Sequence, residues 1–241
     1  MIIVLGATGA TGRLVVAELL NRGETVRAVV RPGSKLPDAL AHRERLSVTR
    51  CDLLKLSEYE LETLVAGATA IVSCLGHTMS LHGIFGPPRR LVADSLRRVC
   101  RAVQLQPQST PVRIVLMNTA GVSNRDIGEQ VSMPQRVVIT LLRLFLPPHA
   151  DNELAANYLR LMFPPDDAAL EWVVVRPDTL HNDAEPRAYE LHASPTRSAI
   201  FNAGKTSRPN VARCMADLLT NAALWHEWKS KMPVIYDAAS S

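Results

Sequence analysis

Between a short apolar run, Ile2–Leu5, and an amphipathic stretch, Thr11–Arg22, lies Gly6-Ala7-Thr8-Gly9-Ala10-Thr11-Gly12. Glycines at three-residue spacing, placed directly between a strand and a helix, leave few folds open. Gly6 permits a tight turn, Gly9 lets backbone approach a pyrophosphate, and Gly12 allows the helix to pack closely on the strand. The helix N-terminus then presents free N–H groups and a partial positive charge to phosphates, so Thr8, Ala10 and Thr11 join the glycines as candidate contacts. The alternative, a glycine-rich turn without a ligand, leaves the agreement of spacing, strand and helix unexplained.

The pattern downstream is that of an α/β chain. Apolar runs at Thr25–Val30, Leu46–Cys51, Ala70–Leu75, Val112–Met117 and Glu171–Val175 read as strands. Helical periodicity covers Ser57–Ala66, about Pro88–Val103, Gln135–Phe145 and Glu153–Met162. A short strand at Tyr189–His192, a helix over Asn210–Leu224 and a strand at Pro233–Tyr236 follow. Strands separated by helices imply parallel pairing through right-handed crossovers, hence an open, doubly wound parallel sheet. With no repeat and no linker in 241 residues, one domain over 1–241 is expected. Its C-terminal part, from about residue 150, forms a small extension on the substrate side.

Composition excludes several classes. Hydrophobic residues make up 47% and charged residues 21%, a globular balance. The excess of 27 basic over 23 acidic residues is small and dispersed. Arg89-Arg90 and Arg97-Arg98 fit solvated helix faces without aromatic residues between them, so no nucleic-acid partner is expected. Neither a signal peptide nor a membrane-length apolar run is visible, and Cys51, Cys74, Cys100 and Cys214 show no metal-ligand spacing. A cytoplasmic protein with reduced, buried thiols and no metal is expected, with monomer and dimer both open.

The second strand ends in Arg31-Pro32-Gly33-Ser34-Lys35. An acidic residue there would hold the ribose hydroxyls of NAD. Arg31, Ser34 and Lys35 instead supply the groups that hold a 2′-phosphate, which favours NADP; Arg13 is a weaker candidate. Asp52-Leu53 falls where the adenine should lie, and Asp52 either accepts from its amino group or caps the next turn.

The G-x-x-G-x-x-G loop, Val30-Arg31, Cys51-Asp52-Leu53, Leu75-Gly76 and Val175-Arg176-Pro177 together resemble the atypical short-chain dehydrogenase/reductases. The similarity is greatest to the NmrA-like and biliverdin/flavin reductase B-like NAD(P)-binding proteins. It covers the whole chain and is specific in the cofactor half. The resemblance implies a Rossmann fold, NADP and a substrate site over the C-terminal strand ends. It fixes no single reaction, because members include reductases, isomerases and redox-sensing regulators. One departure stands out. None of Tyr59, Tyr158, Tyr189 and Tyr236 has a lysine four residues later, so the Tyr-x-x-x-Lys proton relay of many short-chain reductases is missing. Asn152 takes the lysine's place, and Asn118-Thr119-Ala120-Gly121 replaces the serine usual after the fifth strand. The biliverdin/flavin reductase B-like group lacks this relay too, so hydride transfer stays open.

In such a fold the nicotinamide borders Cys74-Leu75-Gly76-His77 and Asn118-Thr119-Ala120. Leu75, Gly76, Asn118, Thr119 and the Pro177 backbone are candidate cofactor contacts. Asn118 and Thr119 can also hydrogen-bond a substrate carbonyl, or simply cap the strand end. Cys74 reads as a packing residue, since nothing near it lowers a thiol pKa. His149 and His77 are the candidate proton donors in place of the lost tyrosine. The plainer reading has Asp151 capping the helix that His149 precedes. Arg176-Pro177-Asp178-Thr179 leaves the sixth strand toward the cofactor, and Asp178 could face the substrate.

His77–Pro88 (HTMSLHGIFGPP), with apolar Met79, Leu81, Ile84 and Phe85, reads as a flap over a flat or hydrophobic substrate, with Phe145 and Phe163 nearby. Lys205-Thr206-Ser207-Arg208 precedes the last long helix, which Ser207 or Asn210 caps; a site role for this segment is the lesser alternative. The expectation is an NADPH-dependent reductase of a small carbonyl or conjugated compound, aromatic ones included. An NADP-sensing regulator without turnover and a non-redox isomerase are the rivals. The segments His77–Pro88 and Ser123–Pro148 lie on the substrate side, which favours the enzyme.

Overall fold

The structure is a computed structural model that describes residues 1–78, 80–129 and 132–238, with the backbone alone at His82. Met79 of the flap and Gln130-Val131 of the Ser123–Pro148 segment lie outside the described residues. The glycine loop joins β1 (Ile2–Leu5) to α1 (Gly12–Asn21). Next come β2 (Val26–Val30), α2 (Asp38–Ala41), β3 (Leu46–Arg50), α3 (Glu58–Val65) and β4 (Ala70–Ser73). The middle of the chain forms α4 (Leu81–Phe85), α5 (Leu91–Gln104), β5 (Val112–Met117), α6 (Met133–Phe145) and α7 (Pro147–Met162). The remainder is β6 (Leu170–Pro177), β7 (Thr179–His181), β8 (Tyr189–His192), β9 (Lys205–Ser207), α8 (Arg208–Thr220), α9 (Ala222–Trp228) and β10 (Val234–Asp237).

The main sheet runs β3-β2-β1-β4-β5-β6-β10-β8, parallel throughout except for the antiparallel edge strand β8. Its order reverses between β1 and β4, where Leu5 pairs with Ser73. That reversal opens a crevice at the C-terminal strand ends, the usual ligand position in such sheets. Both faces are covered, which is why β1 and β4 are buried at every position and read as continuous apolar runs. Leu96, Val99, Val103, Leu159 and Phe163 pack α5 and α7 on one face. Val15, Val16, Leu19, Met215, Leu218 and Trp225 pack α1, α8 and α9 on the other. The doubly wound Rossmann architecture is as expected. Among the described residues, no helix is long and apolar enough to cross a membrane.

Several boundaries differ, each for a local reason. The helix expected over Pro88–Val103 begins at Leu91, and a short helix occupies part of the flap. The helix expected from Glu153 begins at Pro147, because proline suits the first helical turn. Asp151 therefore lies inside α7 and does not cap it. The helix expected over Asn210–Leu224 is two helices. Asn221 ends α8 and caps α9, its side chain accepting from the Ala223 and Leu224 amides. The parallel pair β7–β9 was not anticipated, its strands being three residues each.

Helix α6 has an unusual surface. Gln135 and Ile139 face the protein, while Met133, Val137, Leu141, Leu144 and Phe145 are exposed. At helical spacing these five form one stripe. The polar sector is confined to Arg136, Thr140 and Arg143.

Candidate functional site

The crevice contains a cavity of about 430 Å³, within the ordinary range for small-molecule sites. Its floor is the glycine loop. Gly6 has φ +72°, and a Cβ there would lie 2.7 Å from the Cys74 carbonyl oxygen. A Cβ on Gly12 would lie 2.2 Å from the Gly6 oxygen, so the close packing of helix on loop requires glycine. The Thr11 side chain caps no amide of α1. The loop thus leads into a helix end with no side-chain cap of its own, a cradle suited to phosphate oxygens. These features fit a dinucleotide.

The loop contributes Gly6, Thr8, Gly9, Ala10 and Thr11 to the cavity wall, and Arg31, Asp52, Leu53, Leu75, Gly76 and His77 also line it. Gly12 acts by packing. Arg31 is exposed at the end of β2 and makes no side-chain hydrogen bond or ion pair among the described residues. Ser34 and Lys35 lie on the turn after it, where the Ser34 amide donates to the Arg31 carbonyl, but neither lines the cavity. Arg13 is exposed and also outside the lining. Asp52 accepts from the Leu54 amide at 3.1 Å, so it caps its own turn while bordering the cavity.

The strand-end groups are more heavily engaged. Asn118 is buried; its amide donates to the Asn152 carbonyl at 2.8 Å and its oxygen accepts from the Thr119 amide at 2.9 Å. Thr119 Oγ1 accepts from the Gly121 amide. This arrangement favours the capping reading of both residues, and neither lines the cavity. The Pro177 carbonyl is taken by the Ala120 amide. Asp178 accepts from the Gly204 amide at 2.8 Å, and burial raises its pKa. Arg176 does not reach toward the cofactor. Its fully buried guanidinium donates to the Met232, Val122 and Ala193 carbonyls and pairs with Glu129 at 2.6 Å. Phe163 belongs to the core and Phe145 is exposed, so neither borders the cavity.

Both candidate histidines are placed unlike free proton donors. His77 Nε2 lies 2.8 Å from Asp151 Oδ2, and its Nδ1 lies 3.1 Å from the Gly83 carbonyl. Asp151, fully buried, also accepts from the Val92 and Ala93 amides and so caps α5 from another helix. His77 thereby clasps the flap to α5 and α7 at the cavity edge. His149 is buried in the first turn of α7, away from the cavity lining, and its Nε2 has no partner among the described residues. A Cβ on Gly121 would lie 3.5 Å from its ring. Burial pushes the His149 pKa down, with Glu153 opposing and Arg143 adding to the shift. Burial likewise raises the Cys74 thiol to about 12, in keeping with a packing role. Cys51, expected to be buried, is half-buried and borders the cavity.

Sequence reasoning missed part of the wall: Leu91, Ser95, Met117 and Leu180; Thr78 comes from the expected flap, and Arg208 from the segment for which a site role is the lesser alternative. The Ser95 hydroxyl is buried without a partner among the described residues. Nothing local in the sequence distinguishes Ser95 from a core serine. Leu180 and Arg208 arrive from the far end of the chain.

Residues 6–222 match the family model described as NAD(P)H-binding. The chain belongs to this family. A short-chain dehydrogenase/reductase from Veillonella parvula, solved in complex with NADP, superposes with a TM-score of 0.70 at 19% identity, covering 99% of this chain and 94% of that one. Averufin oxidase A of Aspergillus flavus is 24% identical over 83% of this chain and 72% of its own length. An uncharacterized chloroplastic protein of Arabidopsis thaliana is 25% identical over 76% of this chain, and the match spans 60% of that relative's length. The atypical short-chain dehydrogenase/reductase resemblance agrees with these findings.

Proposed function

We propose that the protein is an NADP-dependent oxidoreductase that reduces a small carbonyl or conjugated, aromatic compound. The observation that carries the cofactor choice is Arg31, an exposed guanidinium, unpaired among the described residues, on the cavity wall where an NAD site would hold a carboxylate. Arg31 binds the 2′-phosphate, with Ser34 and Lys35 on the adjoining turn supplementing it. When bound, NADPH supplies the hydride. Leu75, Gly76 and Met117 shape the strand-end side of the cavity, where the substrate approaches beneath the flap. His77 positions that flap. With both its ring nitrogens engaged, the proton comes from water. The redox activity in the name of averufin oxidase A supports this reading. Calorimetry with NADP and NAD tests the cofactor half. NADP binds more tightly, and Arg31→Ala with Lys35→Ala weakens NADP by about tenfold or more while sparing NAD. Equal wild-type affinities would remove the 2′-phosphate argument. A screen of quinones, flavins and ketones for NADPH oxidation tests turnover.

One observation favours a second reading, an NADP-sensing protein without turnover. The apolar stripe of α6 is the kind of surface a partner-binding regulator needs. Pull-downs with and without NADP, run beside the substrate screen, separate the two. Capture that depends on NADP, with silence across the screen, selects the sensor.

A further inference from the structure

Helices α1 and α8 run parallel. Arg22, just beyond α1, pairs with Asp217 at 2.8 Å and donates to Thr220 Oγ1 at 2.8 Å, which joins their C-terminal ends. Their N-terminal ends therefore open on the same side, and both reach the cavity: Thr11 at one and Arg208 at the other. Arg208 is the first residue of α8, held there by Ser207, whose hydroxyl accepts from the Asn210 amide. It is half-buried, donates through Nη1 to Asn182 Oδ1 at 2.9 Å, and forms no ion pair among the described residues. The cavity wall holds two such arginines, Arg31 and Arg208, against one carboxylate, Asp52. That carboxylate already serves the Leu54 amide and lies 3.8 Å from Lys55.

We propose that Arg208 is a ligand of the cofactor's diphosphate, reaching over the glycine loop from the C-terminal third of the chain. Two cations at separate stations divide the cofactor's charge. Arg31 at the end of β2 takes the 2′-phosphate. Arg208, beside the N-terminus of α1, takes the diphosphate that the loop amides hold from below. Asn182 steadies one edge of the guanidinium and leaves the other free for a charge-assisted pair with phosphate oxygen. The inference rests on cofactor binding at this cavity and is independent of turnover.

The test is calorimetry of the full chain with four probes: NADP, NAD, ADP-ribose and 2′-AMP. Arg208→Gln is expected to weaken NADP, NAD and ADP-ribose alike, by about tenfold, and to leave 2′-AMP unchanged. Arg31→Gln is expected to do the reverse, weakening NADP and 2′-AMP and sparing NAD and ADP-ribose. Arg208→Lys, which keeps the charge, should recover most of the affinity and guards against a folding defect in the glutamine variant. Unchanged ADP-ribose affinity in Arg208→Gln would overturn the proposal and assign the residue to an anionic group on the substrate. Equal loss for 2′-AMP, or no recovery with lysine, would overturn it too. A failed substrate screen leaves these binding results intact, so the two proposals fail separately.

Discussion

The two ends of the crevice use their polar groups in opposite ways. On the cofactor side, and among the described residues, Arg31 has no side-chain partner, Arg208 has one neutral partner, and the start of α1 has no side-chain cap. On the strand-end side, Asn118, Asp178, Arg176, His77 and Asp151 are all bonded to backbone or to one another. Polar groups left unpaired beside open space can bind a ligand. Groups saturated by the protein hold shape, and removing one strands its partner in a dry interior. Residue type alone does not separate these classes. Arg176 lies near the end of β6 and Arg208 directly follows β9, yet one is a buried strut and the other faces the cavity.

Variants can break this contrast. The largest effect is expected from Arg176→Ala, which leaves the Glu129 carboxylate buried without its counter-charge and three carbonyls unserved. A loss of about 3–5 kcal/mol should appear in urea unfolding. A loss below 1 kcal/mol would show that Arg176 is not structural. Next is Gly12→Ala, where the added methyl meets the Gly6 oxygen. It should cost about 1–3 kcal/mol and displace the loop, weakening NADP by at least about tenfold in calorimetry. Normal binding would mean that the loop adapts.

His77→Ala should cost less, about 1–2 kcal/mol, by removing one hydrogen bond from buried Asp151 and releasing Gly83. Faster proteolysis within residues 78–88 would report the freed flap, and unchanged protection would refute the clasp. The smallest effect concerns pH. The folded-state pKa of His149 is depressed, so its stabilising contribution is complete above the unfolded value near 6.5 and declines as pH falls toward the folded value. Wild-type thermal stability should therefore drop between pH 7 and pH 5 by a small increment that His149→Gln lacks. Parallel pH profiles for the two proteins would contradict the burial argument.

Much of the cofactor half was legible because its signals are local. The glycine loop, the alternation of strand and helix, and Arg31 at a strand end each lie within one supersecondary unit. The break between α8 and α9 was also encoded, by Asn221 as a helix-capping residue, but continuous periodicity masked it. What stayed illegible depends on contacts distant in sequence. Asp151 caps α5 from 59 residues beyond Val92, so neither segment carries the signal. Its position near the start of α7 suggested a local cap, which the early start at Pro147 displaced. Arg208 sits in a segment whose local pattern reads first as a helix cap, because the parallel pairing of α1 with α8 is a tertiary fact.

That pairing also bears on how the molecule comes into being. The glycine loop that floors the cavity is synthesised well before Leu180 and Arg208, which complete its wall. Until residues 208–220 are available, the face of α1 that meets α8 has no cover. A fragment ending before Leu180 can hold the glycine loop but not the complete chamber. A site whose floor is made early is therefore finished only when a distant part of the chain arrives.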